Sequence, residues 1–123
     1  MNQAKFLRQK LGRQYAYRQY YSGRQLADLP KSVSGVLAAS LTAGCLRLDA
    51  VVYPKDGQMA LGYEFLVRQR ETIDWICFDS PDDAVILKES AMASVLERVR
   101  KKYHLTYTDC RFPELPGKRK GEH

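Results

Sequence analysis

The stretch that decides the fold is residues 46–79, LRLDAVVYPKDGQMALGYEFLVRQRETIDWICFD. Apolar and polar residues alternate in it over three runs, a period-two pattern that is typical of half-buried β-strands. Pro54-Lys55-Asp56-Gly57 separates the first two runs and predicts a turn, because Pro fixes φ and Gly permits positive φ. We predict strands over about 46–53, 58–69 and 72–79, and their short connections favour an antiparallel meander.

Helical patterns lie on both sides of these strands. Residues 2–21 are predicted to form one basic helix, because Ala4, Leu7, Leu11 and Tyr15 recur three and four positions apart. This spacing makes a narrow apolar stripe, so the helix is expected to be only partly covered by the rest of the protein.

Two further helices and one strand complete the predicted elements. A second helix is expected over about 30–43, with a proline at its start and Gly44 just past its end. A third is expected over about 81–103, and a short strand over about 106–112. The predicted fold class is α+β, an antiparallel three- to four-stranded sheet packed against helices in the order α-α-β-β-β-α-β.

The chain is predicted to form a single domain. It has 123 residues, of which 45% are hydrophobic and 28% charged, values that are typical of one globular domain. We assign residues 1–112 to the domain and 113–123 to a disordered basic tail. The predicted core residues are Val36, Leu37, Leu41, Leu48, Val52, Leu61, Phe65, Val67, Trp75, Val85, Met92, Val95, Leu96 and Val99.

The composition argues against several classes of protein. No apolar run is long enough to span a bilayer, and no secretory signal pattern is present. The three cysteines, Cys45, Cys77 and Cys110, are far apart and form no metal-ligand motif. We interpret them as small, buried, reduced residues in the cytosol, which predicts a cytoplasmic protein with no membrane association.

The sequence predicts no catalytic residue, metal site or cofactor. Phosphate-binding glycine loops are absent, and His104 has no evident nucleophile near it in the sequence. Asp49, Glu64 and Asp74 could hold a metal only if their strands brought them together. We favour solvated or cross-strand-paired carboxylates, and so a protein that is not an enzyme.

Charge is distributed unevenly along the chain, although the total is only +6. Residues 1–31 hold seven basic residues and one acid, 32–97 hold five and ten, and 98–120 hold eight and two. Basic ends with interleaved tyrosines are typical of proteins that bind phosphates and stack on bases. The predicted nucleic-acid-binding residues are Lys5, Arg8, Lys10, Arg13, Tyr17, Arg18, Tyr20, Tyr21, Arg24, Lys31, Arg98, Lys101 and Lys102.

These observations predict a small binding protein for nucleic acid or a nucleic-acid–protein complex. One alternative is a protein-binding inhibitor or adaptor, of the kind that phages and mobile elements encode, with a protein partner or a second copy of the chain. A second alternative is a small ribonuclease. Two helices before three antiparallel strands resemble the element order of RelE-type toxins, but the opening strand is absent and the helix over 81–103 is extra.

Overall fold

The computed structural model describes residues 2–30, 35–55, 58–67, 71–78 and 87–108. A five-stranded antiparallel sheet lies at its centre, with the strands in the order in which they occur along the chain. The elements are α1 (Gln3–Leu11), a 3₁₀ turn (Gly12–Gln14), β1 (Tyr15–Gln19), α2 (Gly23–Ala27), β2 (Val36–Ala43), β3 (Leu46–Lys55), β4 (Gln58–Val67), β5 (Glu71–Phe78) and α3 (Glu89–Lys102). The predicted class, α+β with an antiparallel sheet packed against helices, is confirmed.

The central meander follows the predicted alternation. β3 and β4 pair along their whole length, from Leu46 opposite Val67 to Lys55 opposite Gln58. Leu48 lies opposite Phe65 on the face that the helices cover, and both side chains are fully buried. Successive side chains of a strand point to opposite faces of the sheet, so every second residue of β3 and β4 lies on this buried face.

The helix layer covers one face of the sheet. α1 and α3 contact each other, and α3 also contacts β2 and β3. Leu7 of α1 and Leu96 of α3 are fully buried in the same apolar cluster as Phe65 of β4. α1 begins at a capping residue, since the Asn2 side chain accepts a 2.8 Å hydrogen bond from the Lys5 backbone N–H.

The helix predicted over 2–21 is wrong beyond Leu11. Gly12 has φ 52° and ψ −117°, a conformation that cannot continue a right-handed helix. Tyr15 and Tyr17 then turn toward the core while Ala16 and Arg18 are exposed, which is the alternation of strand β1. The N-terminal segment therefore supplies an edge strand. Its two tyrosines are covered at every second position, as in a strand, and not at the three- and four-residue spacing of a helix.

The helix predicted over 30–43 is also wrong. Val36–Ala43 is β2, paired with β1 on one side and β3 on the other, while residues 31–34 lie outside the described residues. Ala39, Leu41 and Ala43 are fully buried. A short apolar run fits both the helical and the strand periodicity. Here the pairing with two flanking strands makes it a strand. The helix found between β1 and β2 is α2, which begins at a Ser22–Gln25 capping box that we did not predict.

The last predicted helix is confirmed in its C-terminal part. α3 begins at Glu89 and not near residue 81, because Lys88 has extended backbone angles, and residues 79–86 lie outside the described residues. The strand predicted over 106–112 is wrong where it is described, since residues 107–108 form a turn. Residues 109–123 lie outside the described residues, so the domain boundary and the tail stay predictions.

Most of the predicted core is buried. The buried members are Leu41, Leu48, Val52, Leu61, Phe65, Val67, Met92, Val95, Leu96 and Val99. Val36 and Leu37 are half-buried, at the start of β2. Val85 and the side chain of Trp75 lie outside the described part of the chain.

Candidate nucleic-acid interface

A groove lies between α1 and the C-terminal end of α3. It encloses about 670 Å³ and is closed on one side by the segment that follows α3. The lining residues are Asn2, Gln3, Phe6, Lys10, Leu11, Glu97, Arg100, Lys101, Thr106, Tyr107 and Thr108. The groove therefore combines two aromatic rings, three basic side chains and several small polar groups from the two ends of the described chain.

Lys10 lies between the two aromatic rings of the groove. Its Nζ is 5.6 Å from the centre of the Phe6 ring and 5.2 Å from the centre of the Tyr107 ring. The ring faces attract the ammonium group through their quadrupoles. Phe6 is nevertheless 43% exposed, so a large apolar surface faces solvent beside a cation.

Arg100 is held in place by three groups. Its Nε and one terminal nitrogen donate to the two carboxylate oxygens of Glu97 at 2.8 and 3.1 Å, and its other terminal nitrogen donates to the Leu105 carbonyl oxygen at 2.8 Å. Its guanidinium also lies 4.9 Å from the centre of the Tyr107 ring. The charge of Glu97 is thus matched by Arg100, which leaves Lys10 and Lys101 as the net positive charge of the groove lining.

Polar groups that could meet a ligand lie next to these cations. Thr106 and Thr108 are exposed, with their hydroxyl oxygens 3.4 Å apart. The Tyr107 hydroxyl is buried and has no hydrogen-bond partner among the described residues. A buried hydroxyl without a partner is uncommon in proteins, so this group can accept or donate a further hydrogen bond.

The predicted site residues lie on several elements. Lys10 and Lys101 meet in the groove, and other basic side chains are exposed on the helix layer, namely Lys5, Arg8, Arg13, Arg98 and Lys102. Arg18 and Tyr20 lie at the edge strand, with the guanidinium 5.6 Å from the ring centre. Arg24 is exposed on α2, and Lys31 lies outside the described residues.

Two of the tyrosines that were predicted to stack on bases, Tyr17 and Tyr21, pack against the core instead. Tyr17 donates a hydrogen bond from its hydroxyl to the Leu87 carbonyl oxygen, and Tyr21 packs against the apolar cluster. Burial raises the pKa of Tyr17, and the charge of Glu89 adds to that effect. The Tyr17 hydroxyl therefore joins β1 to the segment that precedes α3, and these contacts do not support the choice of Tyr17 and Tyr21 as base-stacking residues.

Several groove residues were not predicted from the sequence. Phe6 lies in the helix predicted over 2–21, Arg100 in the helix predicted over 81–103 and Tyr107 in the strand predicted over 106–112, but none of the three is among the predicted site residues. An apolar aromatic at an exposed helix position next to basic residues is the signal that could have identified Phe6. No local pattern joins Phe6 to Tyr107, because about one hundred residues separate them.

The carboxylates considered for metal binding are only partly brought together. Asp49 lies directly opposite Glu64, but Asp74 lies opposite Phe65 in the backbone register. Asp49 is 3% exposed and forms an ion pair with Arg47 at 2.7 Å. Among the described residues, no cluster of three or more His, Cys, Asp or Glu side chains could hold a metal ion.

The prediction that the three cysteines are reduced is wrong for Cys45, which is disulfide-bonded. It is half-buried in the turn between β2 and β3. The side chains of Cys77 and Cys110 lie outside the described residues. In the described chain, no helix is long and apolar enough to cross a membrane.

No protein-family model matches the chain, and neither a curated protein nor a solved structure matches it significantly.

Proposed function

We propose that this protein is a small, non-enzymatic binding protein that contacts single-stranded segments of nucleic acid through the α1–α3 groove. The observation that carries the proposal is the placement of Lys10 between Phe6 and Tyr107, with Phe6 exposed to solvent. Proteins that bind single strands combine cations for the phosphates with aromatic faces for the bases, and this groove offers both within a few ångströms.

The charge around the groove favours a polyanion. α1 carries Lys5, Arg8 and Lys10 and no acid, and α3 carries four basic residues after Glu97. Basic side chains that neutralise phosphates release counterions, which drives association without base-specific contacts. The helix layer can therefore hold a backbone that enters or leaves the groove.

The exposed ring favours single strands over a duplex. A base can stack on Phe6 only when it is not already stacked within a double helix, and each such contact contributes roughly 1–3 kcal/mol. Thr106 and Thr108 lie in the opposite wall of the groove, where their hydroxyls could donate to phosphate or base oxygens. The amide side chains of Asn2 and Gln3 add further polar groups at the same opening.

The proposal is tested by titrating fluorescent single-stranded and double-stranded DNA and RNA with the protein across a salt series. We expect single strands to bind more tightly than duplexes, with affinity that falls steeply as salt rises. Phe6→Ala should weaken binding about tenfold, which corresponds to the lower part of the stacking range. The double variant Lys10→Ala/Lys101→Ala should weaken it further and reduce the salt slope by roughly 1.4, because two phosphate contacts to a single strand are lost.

A matched control removes the same charge elsewhere. Arg18→Ala/Arg24→Ala also removes two positive charges, but neither residue lines the groove. Equal weakening by the two double variants would show that net charge, and not the groove, governs binding. Absence of salt-dependent binding to any of the four polymers would contradict the proposal and favour the protein-binding alternative.

The ribonuclease alternative stays a prediction. Two helices, α1 and α2, precede strands β2 to β5, but β1 lies between these helices and four strands follow them instead of three. A cytoplasmic location stays a prediction. The disulfide at Cys45 bears on it, since disulfides persist mainly in oxidising compartments.

A further inference from the structure

The outer edge of strand β1 is unpaired in the part of the chain that the structure describes. β2 is the neighbour of β1 on one side, and no described strand lies on the other. The register is regular from Tyr15 opposite Ala43 to Gln19 opposite Ala39, so β1 has no bulge that would turn its edge away. An edge of this kind presents backbone groups to which a further strand can bond.

The hydrogen bonds at the two ends of β1 show which backbone groups face this edge. Before the strand, the Gln14 carbonyl oxygen accepts from the Gly44 N–H at 2.8 Å. After it, the Tyr20 N–H donates to the Ala38 carbonyl oxygen at 2.7 Å. Because backbone bonds to one neighbour recur at every second residue of an antiparallel strand, the even-numbered residues of β1 bond to β2. The odd-numbered residues therefore direct their N–H and C=O groups to the outer edge.

Tyr17 and Gln19 supply unpaired groups at this edge. Their N–H and C=O groups have no hydrogen-bond partner among the described residues, whereas the Tyr15 N–H is already bonded to the Gly12 carbonyl oxygen. Donors and acceptors thus alternate along the edge at the spacing of a strand. Another polypeptide backbone matches that alternation, but a nucleic-acid backbone does not, because phosphate oxygens only accept hydrogen bonds.

The two faces of β1 next to this edge differ in chemistry. Ala16 and Arg18 are exposed on one face, while Tyr15 and Tyr17 are half-buried on the face that the helices cover. An added strand continues both faces, since its side chains alternate like those of β1. A side chain opposite Arg18 therefore meets a cation, and the residues before and after it meet tyrosine rings.

Basic residues accompany β1 from end to end. Arg13 precedes the strand, Arg18 lies within it and Arg24 follows it, and all three are exposed. None of them forms an ion pair in the part of the chain that the structure describes. No acidic residue occurs before Asp28 in the sequence. This segment therefore carries positive charge that no acid of its own balances.

We propose that the outer edge of β1 binds an extended acidic segment of another protein as an additional strand of the sheet. The acidic side chains of this segment lie at every second position, on the face of Arg18, and its apolar side chains pack beside Tyr15 and Tyr17. Opposite charges at facing positions of neighbouring strands stabilise their pairing. The contact is short, because β1 has five residues, so we expect a weak and reversible complex.

A second copy of the chain is disfavoured at this edge. Pairing β1 with β1 of a second molecule would bring two sets of Arg13, Arg18 and Arg24 to one junction, and like charges on neighbouring strands repel. The same charges therefore oppose self-association and select an acidic partner. The site is separate from the α1–α3 groove, since none of these arginines lines the groove.

The proposal is tested by fluorescence anisotropy with a labelled heptapeptide in which glutamate and valine alternate. We expect this peptide to bind, and a peptide with lysine in place of glutamate not to bind. Two further peptides carry N-methyl groups on every second residue, in one frame or in the other. In an added strand only one frame points its N–H groups at β1, so one methylated peptide should lose binding and the other should keep it. Absence of binding by the acidic peptide, or equal binding by the two methylated peptides, would overturn strand addition.

Variants of the protein locate the site. Arg18→Glu should weaken binding of the acidic peptide about tenfold, because an attraction becomes a repulsion. Gln19→Pro removes an outward N–H without touching the bonds to β2 and should weaken binding several-fold, whereas Gln19→Ala keeps that N–H and should leave binding unchanged. Circular dichroism and urea unfolding establish that each variant folds. Unchanged binding by both Arg18→Glu and Gln19→Pro would contradict the proposal.

Two controls separate this site from the groove and from self-association. Lys10→Ala/Lys101→Ala should leave peptide binding unchanged, and its loss there would place the peptide in the groove instead. Analytical ultracentrifugation of the protein alone should show a monomer, and a dimer that Gln19→Pro disrupts would show that a second copy occupies the edge. Peptide binding does not depend on the proposed function, so a protein that binds the peptide but no nucleic acid would contradict that function alone.

Discussion

The Tyr15 hydroxyl donates a 2.6 Å hydrogen bond to Glu89 Oε2, although the two residues are 74 positions apart. Arg8 Nε lies 3.2 Å from the same carboxylate oxygen. One carboxylate in the first turn of α3 therefore joins the edge strand β1 to both long helices. The ion pair with Arg8 is more exposed and contributes less, because solvent screens it.

Replacing Tyr15 by Phe should lower the free energy of unfolding by about 1–2 kcal/mol. The change removes a hydrogen bond to a charged acceptor and leaves the ring in place. Urea unfolding followed by circular dichroism measures the loss. Tyr20→Phe is the matched control, since its ring is 44% exposed, and it should change stability by less than about 0.5 kcal/mol. Equal losses in the two variants would contradict a special role for Tyr15.

Stability should fall when the pH rises above 10. Burial, followed by the hydrogen bond to Glu89, raises the pKa of Tyr15 above its usual value of 10.0. The unfolded chain then releases the proton at a lower pH than the folded protein, so the stabilisation is complete below pH 10 and is lost as pH rises toward the folded-state pKa. Tyr17 shifts in the same direction.

Urea midpoints measured from neutral pH to beyond pH 10 test this dependence. The difference in stability between wild type and Tyr15→Phe should shrink above pH 10, because the variant has no proton to lose at this position. Ultraviolet difference absorbance of the phenolate follows the ionisation directly. A stability difference that stays constant through the alkaline range would contradict the assignment to Tyr15.

Replacing Gly44 by Ala should destabilise the protein by more than about 2 kcal/mol. Gly44 has φ +64°, and a Cβ atom there would lie 1.9 Å from the Tyr107 carbonyl oxygen. The new methyl group would force the turn away from the segment that follows α3. Both strain at positive φ and a backbone clash contribute to the loss.

Gly35→Ala separates these two contributions. Gly35 has φ +72°, but a Cβ atom there meets nothing within 4 Å among the described residues. It should cost about 1 kcal/mol, the value expected for positive φ alone. Thermal melts of the two variants provide the comparison, and a Gly44→Ala variant as stable as Gly35→Ala would show that the turn does not press on Tyr107.

Arg100→Lys should cost about 1–2 kcal/mol in unfolding free energy. A lysine cannot donate both to the two oxygens of Glu97 and to the Leu105 carbonyl oxygen in the same planar arrangement. A double-mutant cycle with Glu97→Gln measures how much of the loss belongs to this pair. Arg98→Lys, at an exposed position of the same helix, is the control and should be neutral.

Local pattern was enough to predict the middle of the chain. The alternation over 46–79 and the turn at 54–57 depend on neighbours in sequence, and the meander of β3, β4 and β5 follows from them. The C-terminal part of α3 was predicted for the same reason, since Met92, Val95, Leu96 and Val99 are buried at helical spacing. Each of these elements has one strong hydrophobic periodicity, so the secondary structure that its sequence favours is also the one that buries its apolar residues.

The N-terminal third could not be predicted from local pattern alone. Residues 15–19 and 36–43 are short segments that fit a helix or a strand. Pairing with β3 makes residues 36–43 the strand β2, and pairing with β2 makes residues 15–19 the strand β1. Backbone hydrogen bonds to a neighbouring strand form only in the folded tertiary structure, and they outweigh a weak local preference for helix. Tyr17 was consequently predicted to contact bases, but its hydroxyl donates to the Leu87 carbonyl oxygen, and Tyr15, predicted on a helical stripe, donates to Glu89.

By itself, the amino-acid sequence determined the α+β class, the central antiparallel strands and the excess of basic residues at both ends. The tertiary structure decided which of those basic residues share a surface. Lys10 lies between Phe6 and Tyr107 because α1 packs against α3, and because the Gly44–Cys45 turn holds Tyr107 through a backbone hydrogen bond. Contacts between residues so far apart depend on chain topology, and periodicity in a sequence reports only on near neighbours.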